Sequence, residues 1–105
     1  MLMVHQLNTN IVMENEKHKI DELKKQGYDK VIVWNEVTAA GSIDHSHSFD
    51  TYILVLDGKI EISINGQTKL LKTSDEIYIP KNTIHHSKAS SEGCRYITAE
   101  NINSY

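Results

Sequence analysis

The sequence is short of residues on which several protein classes depend. Its 105 residues include one cysteine, one proline and one arginine, and the net charge is −3. A single cysteine, Cys94, cannot form an internal disulfide, so the chain suits a reducing compartment and we expect a cytoplasmic protein. Acidic residues outnumber basic ones by 14 to 11. Because nucleic-acid-binding proteins normally carry a basic excess rich in arginine, we expect no such partner.

Long apolar segments are also missing. The longest apolar run, Tyr52–Leu56, is far shorter than the roughly 20 residues that cross a bilayer, so we expect no membrane span. The apolar start of the chain, Met1 to Val4, is followed by His5 and preceded by no basic region, so a secretory signal is not expected. The length is that of one ordinary domain, and we expect a single domain over residues 1–105.

β-branched residues are abundant. Isoleucine occurs 13 times and valine 6 times, and both favour pleated sheets over helices. Only Glu16–Gln26 has helical character, with Gly27 as a left-handed stop and lysines in the last turn. We therefore expect a tail or strand and one helix over about residues 1–27, followed by a β-barrel over about residues 30–99.

Strand patterns separated by turn signals fill the rest of the chain. Asn65-Gly66 is a strong hairpin signal, because a type I′ turn requires positive φ at both central residues. Asp57-Gly58 predicts a second turn. Short strands at this spacing indicate an all-β sandwich or barrel. The predicted strands are Val31–Trp34, Tyr52–Leu56, Ile60–Ile64, Gln67–Lys72, Glu76–Ile79, Thr83–Lys88 and Cys94–Ala99.

Histidines fall into two clusters. His45 and His47 are two residues apart, and on a strand both rings would lie on one face, where they could bind one ion. His85 and His86 follow a turn predicted at Pro80–Asn82 and would point to opposite faces, so at most one of them can join the first pair. A histidine pair also arises by chance, and the surrounding pattern is what supports a metal site.

That pattern resembles the two cupin motifs over about Val31 to Ala99. In the first motif His45-x-His47 is followed at the matching distances by Thr51 and Gly58. The second motif is matched by Ser74, Pro80, Asn82, His85 and Ala89. The resemblance implies a double-stranded β-helix barrel with a metal site formed by His45, His47 and His85.

Several positions depart from the cupin pattern. Gly41 lies two positions late, while Ser74 and Asn82 stand where the family has glycine and Ala89 where it has asparagine. The departure that bears on the metal is Thr51, a neutral residue at the position of the family's metal-binding glutamate. Asp50 could replace that carboxylate only if a bulge reversed its direction. A role for Glu36 or His86 at the site is left open.

The resemblance implies a divalent transition metal, with iron, zinc, nickel and manganese all open, and small-molecule chemistry of the dioxygenase type or another metal-dependent kind. The alternatives are a non-catalytic ligand-binding cupin and a metal-free epimerase or isomerase. The last would need a base, His47 or His85, near an acid, Tyr52 or Tyr96. A homodimer is also expected, because cupins commonly dimerise through apolar sheet surface, here Met1 to Val4 and Val31–Trp34.

Overall fold

The computed structural model describes residues 15–36 and 41–102. Residues 15–25 form a helix, α1, and strands account for most of the rest. The fold is all-β with one short helix, as the sequence predicted. The strands in chain order are β1 (Lys30–Glu36), β2 (Thr51–Ile64), β3 (Gln67–Lys72), β4 (Glu76–Ile79) and β5 (His85–Glu100).

Helix α1 ends at the predicted glycine. Gly27 has φ +104°, and its N–H donates to the carbonyl of Lys24 at 3.1 Å, while the N–H of Tyr28 donates to the carbonyl of Leu23 at 3.3 Å. These two bonds satisfy carbonyls that the end of a helix leaves open. A bidentate ion pair between Glu16 and Arg95 fastens the start of the helix to β5, with N–O distances of 3.0 and 2.8 Å.

Two long antiparallel strands form the centre of the barrel. β2 pairs with the second half of β5 through Thr51–Gly58 and with its first half through Ile60–Ile64. β3 and β4 pair with β2, and β1 pairs with β5, so the strand order is β1-β5-β2-β3 with β4 beside β2. The strands predicted at Thr83–Lys88 and Cys94–Ala99 are therefore two parts of one continuous strand, β5.

The turn predicted at Asp57-Gly58 is wrong. β2 continues through these residues, with register shifts between Val55 and Asp57 and between Gly58 and Ile60. Gly58 has φ +88°, and a Cβ there would lie 2.5 Å from the carbonyl oxygen of Gly93. The glycine thus marks a bulge, which bends a strand without reversing it, at a close approach of β2 and β5.

The other left-handed positions agree with the sequence. Asn65 and Gly66 have φ +49° and +83° in the β2–β3 hairpin. Asn82 and Ser74 have φ +61° and +75° at two positions where the cupin pattern has glycine. Both positions adopt a left-handed conformation that usually favours glycine, and asparagine tolerates that conformation better than most other residues.

Apolar side chains form one cluster on each face of the β1-β5-β2 sheet. The inner cluster fills part of the barrel with Ile53, Val55, Ile60, Ile62, Leu71, Ile79, Ala89 and Cys94. The outer cluster packs the sheet against α1 and includes Leu23, Ile97, Ala99, Val31 and Val33. Cys94 is therefore a buried free thiol, and the outer apolar face of β1 is half-buried within the chain.

The segment Met1 to Val4, with which the predicted dimer surface begins, lies outside the described residues. No helix within the described ranges is long and apolar enough to cross a membrane.

Candidate metal centre

Three histidines from distant parts of the chain meet inside the barrel. Each of His45, His47 and His85 offers a ligand atom, and these atoms lie within 4.8 Å of one another. The ring centroids of His45 and His85 are 4.3 Å apart, those of His45 and His47 4.9 Å, and those of His47 and His85 5.3 Å. His85 is 8% exposed and the other two are half-buried.

Backbone hydrogen bonds hold the three residues in place. His45 and His85 exchange two N–H···O bonds of 2.9 Å, which form an isolated antiparallel bridge. The carbonyl of His47 accepts a 2.7 Å bond from the N–H of Asn82 in the turn before β5. The expectation that His45 and His47 share one face of a regular strand is wrong: the pair lies outside the named strands, and the bridge and the turn bring its rings together.

The hydrogen bonds of two rings determine which nitrogen faces the cluster. Nδ1 of His45 lies 2.7 Å from the carbonyl oxygen of Ile43, and Nδ1 of His85 lies 2.9 Å from that of Thr83. Because a carbonyl oxygen only accepts, both Nδ1 atoms carry the hydrogen, and in the neutral ring this leaves the lone pair on Nε2. A backbone carbonyl on the far nitrogen is the usual partner of a metal-binding imidazole.

His47 is held differently. Its ring stacks on Phe49 at 4.7 Å between centroids with an interplanar angle of 13°. Burial, together with the two neighbouring imidazoles, lowers the pKa of His47 below 6.5. The neutral form, which can bind a metal, is therefore favoured at neutral pH.

Thr51 lines the same pocket and is 6% exposed. Within residues 15–36 and 41–102 its Oγ1 is the one buried side-chain nitrogen or oxygen that has no hydrogen-bond partner. Buried hydroxyls in proteins are nearly always hydrogen-bonded, so this atom requires an explanation.

The carboxylates considered from the sequence are occupied elsewhere. Asp50 accepts hydrogen bonds from the N–H of Lys81 at 2.9 Å and from the side chain of Asn101 at 3.4 Å. Glu36 accepts one from the hydroxyl of Tyr96 at 3.3 Å. Neither lies in the histidine cluster, and the register reversal that Asp50 would need is not present.

His86 faces away from His85, as strand alternation predicted, and its Nδ1 pairs with Asp44. It lies outside the histidine cluster, so the second histidine pair contributes His85 to the cluster and not His86.

The histidines line a cavity of about 110 Å³ that adjoins a larger one of about 330 Å³. The walls shared by both cavities are His45, Ile60, Ser87, Tyr96, Thr98 and Glu100. Glu100 and Thr98 were not singled out from the sequence. The signal that could have found them is the period of two along β5, which places them on the inner face with Tyr96.

The two tyrosines considered as acids have separate places. Tyr96 lines both cavities. Tyr52 belongs to the outer cluster, and its hydroxyl donates a 2.5 Å hydrogen bond to Glu76. Tyr52 is therefore removed from the set of groups that could act beside the histidines.

The residues present fit a divalent transition metal. Three imidazoles converge, two of them have oriented lone pairs, and imidazole suits iron, nickel, copper and zinc. A neutral set of three protein ligands also matches metal sites that keep open positions.

Comparisons with known proteins agree with this architecture. The Cupin_2 family, described as a cupin domain, matches residues 35–100. A search of curated proteins finds no match.

Solved structures of cupins are similar to the chain in fold. KdgF from Halomonas sp. has a TM-score of 0.63 at 21% identity, covering 67% of this chain and 64% of that one. A cupin protein from Bacteroides fragilis has a TM-score of 0.61 at 23% identity, covering 67% and 62%. An RmlC-like cupin from Shewanella frigidimarina has a TM-score of 0.63 at 17% identity, covering 71% and 68%.

The match therefore spans a little under two thirds of the length of the first two structures. At these identities the likeness concerns the fold alone, whereas the family match covers more than half of the sequence. The chain belongs to the Cupin_2 family.

Proposed function

We propose that His45, His47 and His85 bind a divalent transition metal and that the protein acts on a small molecule in the adjoining cavities. The observation that carries this proposal is the pair of Nδ1–H···O=C bonds of His45 and His85, beside a third ring that stays neutral. Without a metal, three imidazoles from distant parts of the chain would have to converge by chance beside the apolar inner cluster.

The metal's contribution follows from its charge. When bound by three neutral imidazoles, a divalent ion would keep its full +2 charge, which would favour an anionic ligand or make a water molecule more acidic. Iron, zinc, nickel and manganese all remain candidates, because imidazole accepts several ions.

The protein's own residues supply orientation and enclosure. The carbonyls of Ile43 and Thr83 set the directions of two rings, and Phe49 fixes the third by stacking. The inner apolar cluster closes one side of the site, so the cavity walls formed by Tyr96, Thr98 and Glu100 contact whatever enters.

The experiment is elemental analysis of protein purified without a histidine tag, with His45, His47 and His85 each changed to Ala. We expect each variant to lose bound metal several-fold, as removal of one of three ligands does. The matched control is His86→Ala, which removes the neighbouring imidazole that pairs with Asp44 and should keep its metal. Equal metal content in all four variants would contradict the proposal.

The reaction is tested separately. Oxygen uptake by the metal-loaded protein with candidate thiols and diketones tests dioxygenase chemistry. Tight binding of a small molecule without turnover would instead indicate the non-catalytic ligand-binding alternative.

A metal-free acid–base reaction is the second candidate, and one observation favours it: Tyr96 shares a cavity with the histidines. Burial and the nearby Glu36 raise the pKa of Tyr96, so its hydroxyl stays protonated and could donate a proton, while His47 stays neutral as a base. Epimerisation of candidate sugars that persists with a chelator and disappears in Tyr96→Phe would support this alternative.

We also propose a cytoplasmic homodimer without a nucleic-acid or membrane partner, on the single cysteine, the acidic balance and the dimerisation common among cupins. Light scattering of the purified protein tests the oligomeric state.

A further inference from the structure

The unpartnered hydroxyl of Thr51 points to a function beyond filling space. A threonine buried to 94% in a β-barrel normally hydrogen-bonds its hydroxyl, because an unsatisfied buried polar group is costly. Valine has nearly the same shape and would avoid that cost. A buried hydroxyl at a position where the methyl group of valine would destabilise the fold less indicates a hydrogen-bond partner that joins the folded protein from outside.

The neighbourhood limits where that partner can lie. Thr51 starts β2 opposite Ile79 and Glu100, and it lines the cavity together with all three histidines. Three isoleucines in the wall of this cavity offer no donor or acceptor, and none of its polar lining residues, Glu100 included, hydrogen-bonds the Thr51 hydroxyl. The missing partner is therefore part of what the histidine pocket holds.

The charge of the pocket decides the kind of partner. A divalent metal on three neutral imidazoles contributes +2, and Glu100, when ionised, lowers the sum to +1. A group that binds the metal at an open position is therefore favoured when it is anionic. Towards such a group the Thr51 hydroxyl acts as donor, and a hydrogen bond to a charged acceptor is stronger than one between neutral groups.

We propose that Thr51 is a specificity-determining residue, whose hydroxyl donates a hydrogen bond to an anionic ligand atom bound beside the three histidines. The ligand class is a small molecule with an anionic oxygen, such as a carboxylate or an enolate. The inference rests on the proposed metal site. Thr51, at the position of the family's metal-binding glutamate, would then bind the ligand and not the metal.

The test compares Thr51→Val and Thr51→Ser with the unchanged protein, each loaded with Co²⁺ as a visible probe. Azide and acetate are the anionic probes, and imidazole is the neutral one. Thr51→Val should bind Co²⁺ as before and bind the two anions about tenfold more weakly, the size expected for loss of one charge-assisted hydrogen bond. Affinity for imidazole should change less than twofold, and Thr51→Ser should restore anion binding.

Thr98→Val is the matched control for stability. Thr98 lines the same cavity, but its Oγ1 already accepts a 2.8 Å hydrogen bond from the indole of Trp34. In the metal-free protein Thr51→Val should raise the melting temperature, because an unsatisfied hydroxyl is removed, whereas Thr98→Val should lower it. Ser63→Ala removes a buried hydroxyl outside both cavities, one that already forms a 2.6 Å hydrogen bond with the hydroxyl of Thr68, and it should leave anion affinity within twofold.

The outcomes separate the two proposals. Unchanged azide and acetate affinity in Thr51→Val, with Co²⁺ bound normally, overturns the role of Thr51 and leaves the metal site standing. A lower melting temperature of metal-free Thr51→Val also overturns it, because the hydroxyl would then have a partner within the fold. If the unchanged protein binds no Co²⁺, both proposals fail.

Discussion

Alternate residues of β5 lie on opposite faces of the β1-β5-β2 sheet, and the surroundings of the two faces differ. On the outer face Ile97 and Ala99 are completely buried under α1, where Leu23 is 2% exposed. On the inner face Tyr96, Thr98 and Glu100 line open cavities beside the histidines. Successive side chains of a strand point to opposite faces, so β5 alternates between packing and a polar site.

This division separates stability from chemistry. The outer face contains apolar contacts and an ion pair that fastens the helix, and it lacks the convergent imidazoles. The inner face is apolar where Leu71 of β3 and Ile79 of β4 join its cluster, and polar where the histidines lie. Changes to the outer face should alter folding strongly without altering the site, and changes to the inner polar face should alter the site with only small effects on stability.

Leu23→Ala is expected to have the largest effect. Removing a fully buried leucine leaves a cavity and typically costs about 2–5 kcal/mol of the free energy of unfolding. Urea denaturation measures the loss, and metal affinity of the folded fraction should stay the same. Leu70→Ala is the control, because Leu70 is 49% exposed and should change stability by less than about 0.5 kcal/mol. Equal losses in both variants would contradict the importance of the outer cluster.

Metal addition should stabilise the protein through the inner face. A ligand that binds only the folded chain adds about 2.7 kcal/mol to the free energy of unfolding when its free concentration is 100 times Kd. Thermal melts with and without metal measure the shift, and a chelator should reverse it. His47→Ala should lose the shift and His86→Ala should keep it. A shift that survives in His47→Ala would place the metal elsewhere.

Arg95→Met tests the attachment of the helix. The side chain of Glu16 is 9% exposed, and its carboxylate is bound by the guanidinium of Arg95, whose side chain is 36% exposed. Leaving this carboxylate buried without its partner should cost about 1–2 kcal/mol by urea denaturation, less than for a fully buried pair. Lys19→Met is the control, since it removes an exposed pair with Glu22 and should cost under about 0.5 kcal/mol.

Much of the architecture could be predicted because it depends on local signals. Gly27 ends the helix, Asn65-Gly66 forms the hairpin, and the period of two places His85 inside and His86 outside. The turn predicted at Asp57-Gly58 failed because a glycine with positive φ occurs both in turns and in bulges. Only the contact with Gly93, far along the chain, distinguishes them.

The candidate site was predictable in its histidines and not in its surroundings. The spacing of His45, His47 and His85 was enough to predict them as metal ligands, through the resemblance to cupins. The carboxylate of Asp50 is bound by Lys81 and Asn101, and the sequence alone does not show which distant groups will bind a carboxylate. The orphaned hydroxyl of Thr51 likewise becomes visible only when every neighbour is known.

Glu100→Gln is expected to have the smallest effect on the free energy of unfolding. It tests directly whether a carboxylate on the inner face lowers the stability of the fold. Burial raises the pKa of Glu100 above 4.5, Lys30 opposes this effect and Asp29 adds to it. Because the folded state raises this pKa, the Glu100 carboxyl loses its proton at a lower pH in the unfolded chain than in the folded chain. The free energy of unfolding therefore falls as the pH rises from 4.5 through the folded-state pKa. Glu100→Gln should therefore be slightly more stable than the unchanged protein at pH 7, and the difference should shrink as the pH falls towards 4.5.

Melting temperatures of the metal-free proteins at a series of pH values measure this difference. Glu76→Gln would be a poor control because that carboxylate binds Tyr52, whereas Glu61→Gln makes the same substitution at an exposed position of β2. A Glu100→Gln variant that is less stable at pH 7 would mean that the carboxylate is held by favourable contacts and contributes to the fold. The inner face would then combine stability with its chemistry, and the contrast between the two faces of β5 would be lost at its last residue.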